Sequence, residues 1–332
     1  MTLAVIGMGL VSPLGLRPSE HAFFVRAGGG SSPLGAFVDE AGDPLRVAHC
    51  PWLGANRPAG ERLAALASTA LDSALEPLRT RLGEEQRKPA LVLCTAAAMP
   101  TLSDADRAGV RPIARTWGAA GFFEALAAAE QHIAAGAERA IVVMTVDSLA
   151  SLQTARETMR RPPSPWARPG PPLSEAAAAL LVAAPEEAAR MDLRVLGLVH
   201  HAAVRPGTSS DEDDEIVDGT ALGALLAGLP PLPGRITQSF GPHNVDSLRH
   251  LEWTYAAARN FSAFDRECLL ECIEDSVGAV GAAAGGVHLV YGLAAELHGT
   301  SERDGNHPLC AWAISRDGTR GLAIASGADA YG

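Results

Sequence analysis

Thiols are scarce in this chain. Cysteine occurs five times in 332 residues, at positions 50, 94, 268, 272 and 310. An odd, scattered set is no disulfide framework and points to a reducing cytoplasm. Cys268 and Cys272 are close enough to act as a pair, and their surroundings predict a helix around both. No second pair of cysteines or histidines stands at ligand spacing, which argues against a zinc site. Positive charge is also short: 27 Lys and Arg face 38 Asp and Glu, for a net charge of −11. That balance argues against binding DNA or RNA through phosphates. Long apolar runs are missing too, so no membrane span is expected. The opening MTLAVIGMGLVSPLG has no basic leader and reads as a first strand, not a signal peptide. A full dinucleotide fingerprint is lacking as well. Gly7 and Gly9 fit its start, but Ser12 replaces the third glycine, Pro13 follows, and no helix is expected to open. The glycines are expected to make a turn through which the strand leaves its sheet. No cofactor and no metal is therefore expected.

What is present is a core. The chain is 47% hydrophobic, ample for one large domain or two fused halves. Residues 113–148 stand out. Phe122, Leu126 and Ile133 recur at helical spacing among alanines, which predicts a buried helix over 118–136. Gly136 falls where a left-handed C-cap belongs. The run RAIVVMTV at 139–146 then reads as a strand covered on both faces. In several layered α/β folds a nucleophile sits at such a helix start, where the dipole stabilises an anion. Here that start holds Trp117, Gly118, Ala119 and Ala120, and none is a nucleophile.

Further strands are expected at 3–8, 90–95, 178–183, 192–205, 235–240, 309–315 and 321–326. Helices are expected at 58–80, 219–229, 248–260 and 275–297. Cys94 reads as a small packing residue within a strand. His200 and His201 point to opposite faces of one strand and cannot easily share a metal. Loops are expected at 28–43, at 99–107, in the proline-dense stretch 160–172 with Trp166, and in the acidic run SSDEDDE, which lacks calcium-loop spacing. The order β, α, β, α, β, β is followed by a similar order in the second part. This doubling predicts two similar α/β units packed face to face, residues 1–188 and 189–332.

Several segments, in order, resemble the β-ketoacyl synthase branch of the thiolase superfamily. VIGMGLVSPLG looks like its first strand and turn, RLAALASTALDSALEPL the helix after it, and LVLCTA its "GT" strand. SEAAAALLVAA stands where a "GEGAG" strand belongs, with Glu175 and Ala176 surviving, and DLRVLGL looks like the strand opening the second half. VGAVGAAAGGVHLVYGLAAELHG is similar to the "GH…GAAG" helix. The resemblance covers nearly the whole chain. It implies a thiolase-like, five-layered α-β-α-β-α fold with two pseudo-repeated halves, and a dimer.

It also implies decarboxylative condensation on carrier-protein thioesters, which needs a thiolate at a helix start and two histidines, or a histidine and an asparagine, to polarise the thioester. The matching positions are empty. The cysteine position falls on Ala119 or a neighbour. The "HGTGT" position reads Phe240-Gly241-Pro242-His243-Asn244, and the second histidine falls on Ala279. The lysine before it becomes Glu274 or Asp275, and the "GFGG" loop becomes Ser315-Arg316-Asp317-Gly318. The chain is also shorter than the family norm. These losses point to a non-catalytic ketosynthase-like partner, scaffold or adaptor in the cytoplasm. It would form a homodimer, pair with a ketosynthase-like chain as a chain-length factor does, or hold another protein. Two alternatives stay open: an acyl- or thioester-processing enzyme in which His243, with Ser239 and Asn244 nearby, is the base, or an acyl-ligand binder using the residual cleft.

Overall fold

The computed structural model describes residues 1–31, 37–38, 44–54, 57–82, 89–96, 110–151, 171–207, 219–243, 247–301 and 307–328. The elements run β1 (Leu3–Val11), α1 (Pro18–Arg26), β2 (Phe37–Val38), β3 (Pro44–Leu45), α2 (Ala59–Leu82), β4 (Ala90–Thr95), β5 (Arg111–Trp117), α3 (Gly121–Ala134), β6 (Ala140–Ser148), β7 (Glu175–Ala183) and α4 (Pro185–Arg190). They continue β8 (Gly197–Arg205), α5 (Thr220–Ala227), β9 (Ile236–Phe240), α6 (Ser247–Arg259), β10 (Phe264–Glu271), α7 (Glu274–Val277), α8 (Ala284–Leu297), β11 (Leu309–Ile314) and β12 (Arg320–Gly327). The proline-dense stretch with Trp166, the acidic run and the 99–107 connection lie outside the described residues.

The period-2 alternation of the strands builds the layers. In β7, Ala176, Ala178, Leu180 and Val182 face the central core, while Ala177, Ala179, Leu181 and Ala183 face an outer one. β1 does the same, with a register irregularity between Val5 and Gly7. The central core lies between two runs of strands and holds α3 and α8. The outer core on the first run is closed by α2. A third core, around Trp253 and Trp312, is closed by α5 and α6. Helix, strands, helices, strands, helices make five layers.

The strand order is β10-β9-β11-β12-β8-β1-β7-β6-β4-β5. Counted along the chain, each run of five lies third, second, fourth, fifth, first, so the order repeats. The runs meet where Leu3, Ala4 and Val5 pair with Val199, Leu198 and Gly197.

Four expectations are corrected. Gly7 and Gly9 do not end the strand; they stay inside β1. A Cβ on Gly7 would lie 2.0 Å from the Ala74 carbonyl oxygen, and one on Gly9 1.9 Å from that of Ala70. The glycines let the backbone of α2 lie directly on β1. Helix α1 does open after that strand. Cys268 lies in β10, not in a helix. The helix expected over 275–297 is broken: after α7, Gly278 and Gly281 take φ of 91° and 57°, and α8 begins only at Ala284. β5 and β10 were not foreseen. Both lie at ends of the sheet and are half exposed, so neither shows a clean apolar alternation.

A buried ion pair ties α2 to the sheet. Arg62 Nε donates to Glu175 Oε2 at 2.8 Å and Arg62 Nη2 to Oε1 at 2.5 Å. The Cys50 amide (2.8 Å) and the Ser148 hydroxyl (2.9 Å) donate to the same carboxylate. Burial pushes the Glu175 carboxyl up, but these donors, Arg62 first, outweigh it and hold it below the usual carboxylate range.

Candidate functional site

The candidate cleft is where β4, β5 and β6 end and α3 begins. Trp117 leads into Gly118, whose φ of 74° belongs to the left-handed region. Any side chain there would also collide with Ser315, since a Cβ would lie 2.5 Å from its Oγ. Glycine is therefore required for both backbone and space. Ala119 follows, half-buried. The first turn of α3 has no cap from its own residues. Instead Ser315, just past β11, reaches across, and the Ala120 N–H donates to its Oγ at 2.8 Å. The Ala120 amide is thus already bonded. The start of α8 closes the other side, where a Cβ on Gly285 would lie 2.4 Å from the Ala119 carbonyl oxygen.

The nearest thiol stands behind this turn. Cys94 is fully buried and donates to the Gly118 carbonyl oxygen at 3.1 Å. Burial pushes its thiol up to about 11, against hydrogen bonds with Thr116 and Thr145. Such a thiol is protonated and inert at neutral pH. Cys50 and Cys310 are also buried, and burial pushes both thiols up. Cys268 is in β10, at the far end of the sheet, and Cys272 follows that strand.

Phe240 ends β9 fully buried, its ring edge-on to Tyr291 of α8 at 5.6 Å. Next to it, Trp312 fills the space over Gly241, where a Cβ would lie 2.0 Å from the indole nitrogen. His243 is buried within an aromatic box, 5.3 Å from Trp253 and 5.2 Å from Trp312, which stack on each other. Its Nε2 lies 3.1 Å from Ser239 Oγ and accepts the Trp312 indole N–H at 3.3 Å. Burial first, then the charges of His288 and His250, push it down to about 3. Asn244 lies outside the described residues.

Ala279 sits half-buried between α7 and α8, its amide donating to the Pro172 carbonyl oxygen at 2.7 Å. Glu274 is buried, with Oε2 3.5 Å from His288 Nε2, whereas Asp275 is exposed. Sequence reasoning missed Asp147 at the end of β6. Its Oδ2 accepts the Ala282 N–H at 2.8 Å and so fixes the loop into α8. Burial pushes that carboxyl up although the Ala282 and Ser148 amides bond it. The charged residue ending an otherwise apolar run was the available signal. Ala119, Ser315 and the start of α8 thus meet in one place, while Phe240 packs farther along α8 and His243 lies in the third core.

No protein-family model matches the sequence, and no curated protein does. Solved structures do. The ishigamide ketosynthase/chain length factor superposes with a TM-score of 0.74 at 21% identity, covering 98% of this chain and 99% of that one. The ketosynthase from module 6 of the bacillaene synthase of Bacillus subtilis 168 gives 0.78 at 13% identity, covering 98% of this chain and 72% of that one. A type II PKS acyl-carrier protein in complex with its ketosynthase bound to the hexaketide (AntDE:AntF) gives 0.78 at 13% identity, covering 98% and 99%. This is the ketosynthase, thiolase-like fold. Within that fold, the turn at Gly118 meets Ser315 and the start of α8, and Cys94 lies buried against that turn. No helix among the described residues is long and apolar enough to cross a membrane.

Proposed function

We propose that this chain is a non-catalytic subunit with the ketosynthase fold, acting as a partner to another chain much as a chain length factor does. One observation carries the reading. At the start of α3, where condensation would need a thiolate, stand Gly118, Ala119 and Ala120, and the Ala120 amide is closed by Ser315 at 2.8 Å. An acyl thioester would find neither a nucleophile nor that free donor. Phe240, Ala279 and Glu274, at the positions of the two histidines and the lysine, supply no polarising donor of that kind. Residues 1–188 and 189–332 are the proposed halves.

The partner surface we favour is β5. It pairs with β4 and ends the sheet among the described residues, and Trp117 at its tip is 49% exposed. A free edge of this kind accepts a further strand. The partner is a second copy or a ketosynthase-like chain.

Affinity purification from the native host tests the proposal, with a condensation assay on the isolated chain. Recovery of an active ketosynthase, lost in Trp117→Lys, is the expected result, and no iodoacetamide-sensitive condensation should come from this chain alone. Condensation by the purified chain would overturn the reading. Recovery of unrelated proteins alone would replace the chain-length-factor form with an adaptor.

A further inference from the structure

A second concavity lies away from the cleft. It is a groove of about 620 Å³ between α1, the second half of α2, the link from α4 to β8, and the end of α8. α8 begins at the cleft and ends at this groove; its fourteen residues span about 21 Å. The volume is in the range of small-molecule sites, about 300–1,000 Å³.

The groove has an apolar floor and a cationic rim. Met8, Leu196 and Leu297 supply much of the floor. Arg17, Arg81, Arg194 and His298 line it together with Glu76 and Asp192. Arg81 is paired with Asp192, which leaves Arg17 and Arg194 against the Glu76 carboxylate, with the uncharged His298 imidazole beside them. That is notable in a chain of net charge −11. Partial burial, then the nearby Arg194 charge, lowers the pKa of His298. The Phe23 ring packs on its imidazole at 5.7 Å and holds it at the rim. Arg17 stands at the start of α1, whose first turn also carries Glu20, with its Oε2 accepting the Leu16 N–H at 2.6 Å.

We propose that this groove binds a small amphipathic anion, a carboxylate on an unbranched alkyl body, with Arg17, Arg194 and His298 around the carboxylate and Met8, Leu196 and Leu297 under the alkyl chain. Guanidinium groups match the planar carboxylate, and the floor removes the chain from water. The site is independent of the partner proposed above and of the cleft.

Octanoate is the probe, titrated into the full chain at low salt and followed by calorimetry and by methyl resonances of ¹³C-labelled methionine. Saturable binding should move the Met8 methyl. Replacing Arg17 and Arg194 by Gln should weaken it about tenfold or more, because each charge-assisted bond contributes that order. Octanol, with the same body and no charge, should bind at least tenfold more weakly. Inorganic phosphate should not displace octanoate at equal concentration. Unchanged affinity in the double variant, a static Met8 methyl at saturation, or displacement by equimolar phosphate would each overturn the proposal. The replaced side chains are exposed, so the variants should fold.

Discussion

The Arg62–Glu175 tie and the turn at Gly118 are both interior polar regions, and they are built in opposite ways. At the tie, one carboxylate meets a two-pronged guanidinium, a backbone amide and a hydroxyl. Around the turn at Gly118 the residues are small, and the Ala120 N–H is met from across the chain by Ser315 Oγ. Among the described residues, Glu274 Oε2 meets only His288 Nε2, at 3.5 Å, and Ser174 Oγ has no hydrogen-bond partner. The difference separates what the fold needs from what condensation would need. The frame cannot lose a buried charge partner, because the charge left behind is costly.

The largest effect should come from breaking the frame. Glu175→Ala strands the buried Arg62 guanidinium and should cost about 3–5 kcal/mol in urea unfolding. Two buried histidines outside both regions should come next. His21 of α1, bonded to Ser12, is pushed down by burial to about 4, and His243 to about 3. Both lie below the ordinary value near 6.5, so on acidification the unfolded chain takes up protons first. Stability is fully present above about pH 6.5 and falls as pH drops towards the folded values, by about 1 kcal/mol per pH unit for each histidine. Unfolding followed from pH 7 to 4.5 should show this slope, and His21→Asn should flatten it.

The cleft should yield smaller effects. Ser315→Ala removes the acceptor of the Ala120 amide and should cost about 1 kcal/mol. Ala119→Cys should change stability by less than about 0.5 kcal/mol. The introduced thiol, at a helix start, should react with iodoacetamide well before Cys94 does. It should not restore condensation, since Phe240 and Ala279 still offer no imidazole. Condensation by the Ala119→Cys chain would erase the contrast drawn here between frame and cleft.

Much of the layered core was legible in the residues. Apolar runs in β1, β6 and β7 are buried on both faces, and such strands announce themselves by composition alone. The helix over α3 was legible from Phe122, Leu126 and Ile133, and its end from Gly136, which takes a φ of 68°. The edges were not. β5 reads Arg-Pro-Ile-Ala-Arg-Thr-Trp and β10 reads Phe-Asp-Arg-Glu-Cys-Leu-Leu-Glu, with charges that local preference assigns elsewhere. Each becomes a strand because β4 or β9 offers it a ladder.

By itself, then, the sequence determined the run of buried strands and helices and the absence of a nucleophile at residues 118–120. These are properties of residue type and spacing, and no folding is needed to read them. Tertiary structure alone decided that Ser315 closes the Ala120 amide, that His243 lies between two indoles, and that Gly7 and Gly9 seat α2 on β1. Each of these joins residues far apart in the chain or depends on which face of an element meets its neighbour. Such contacts form only once the layers have packed.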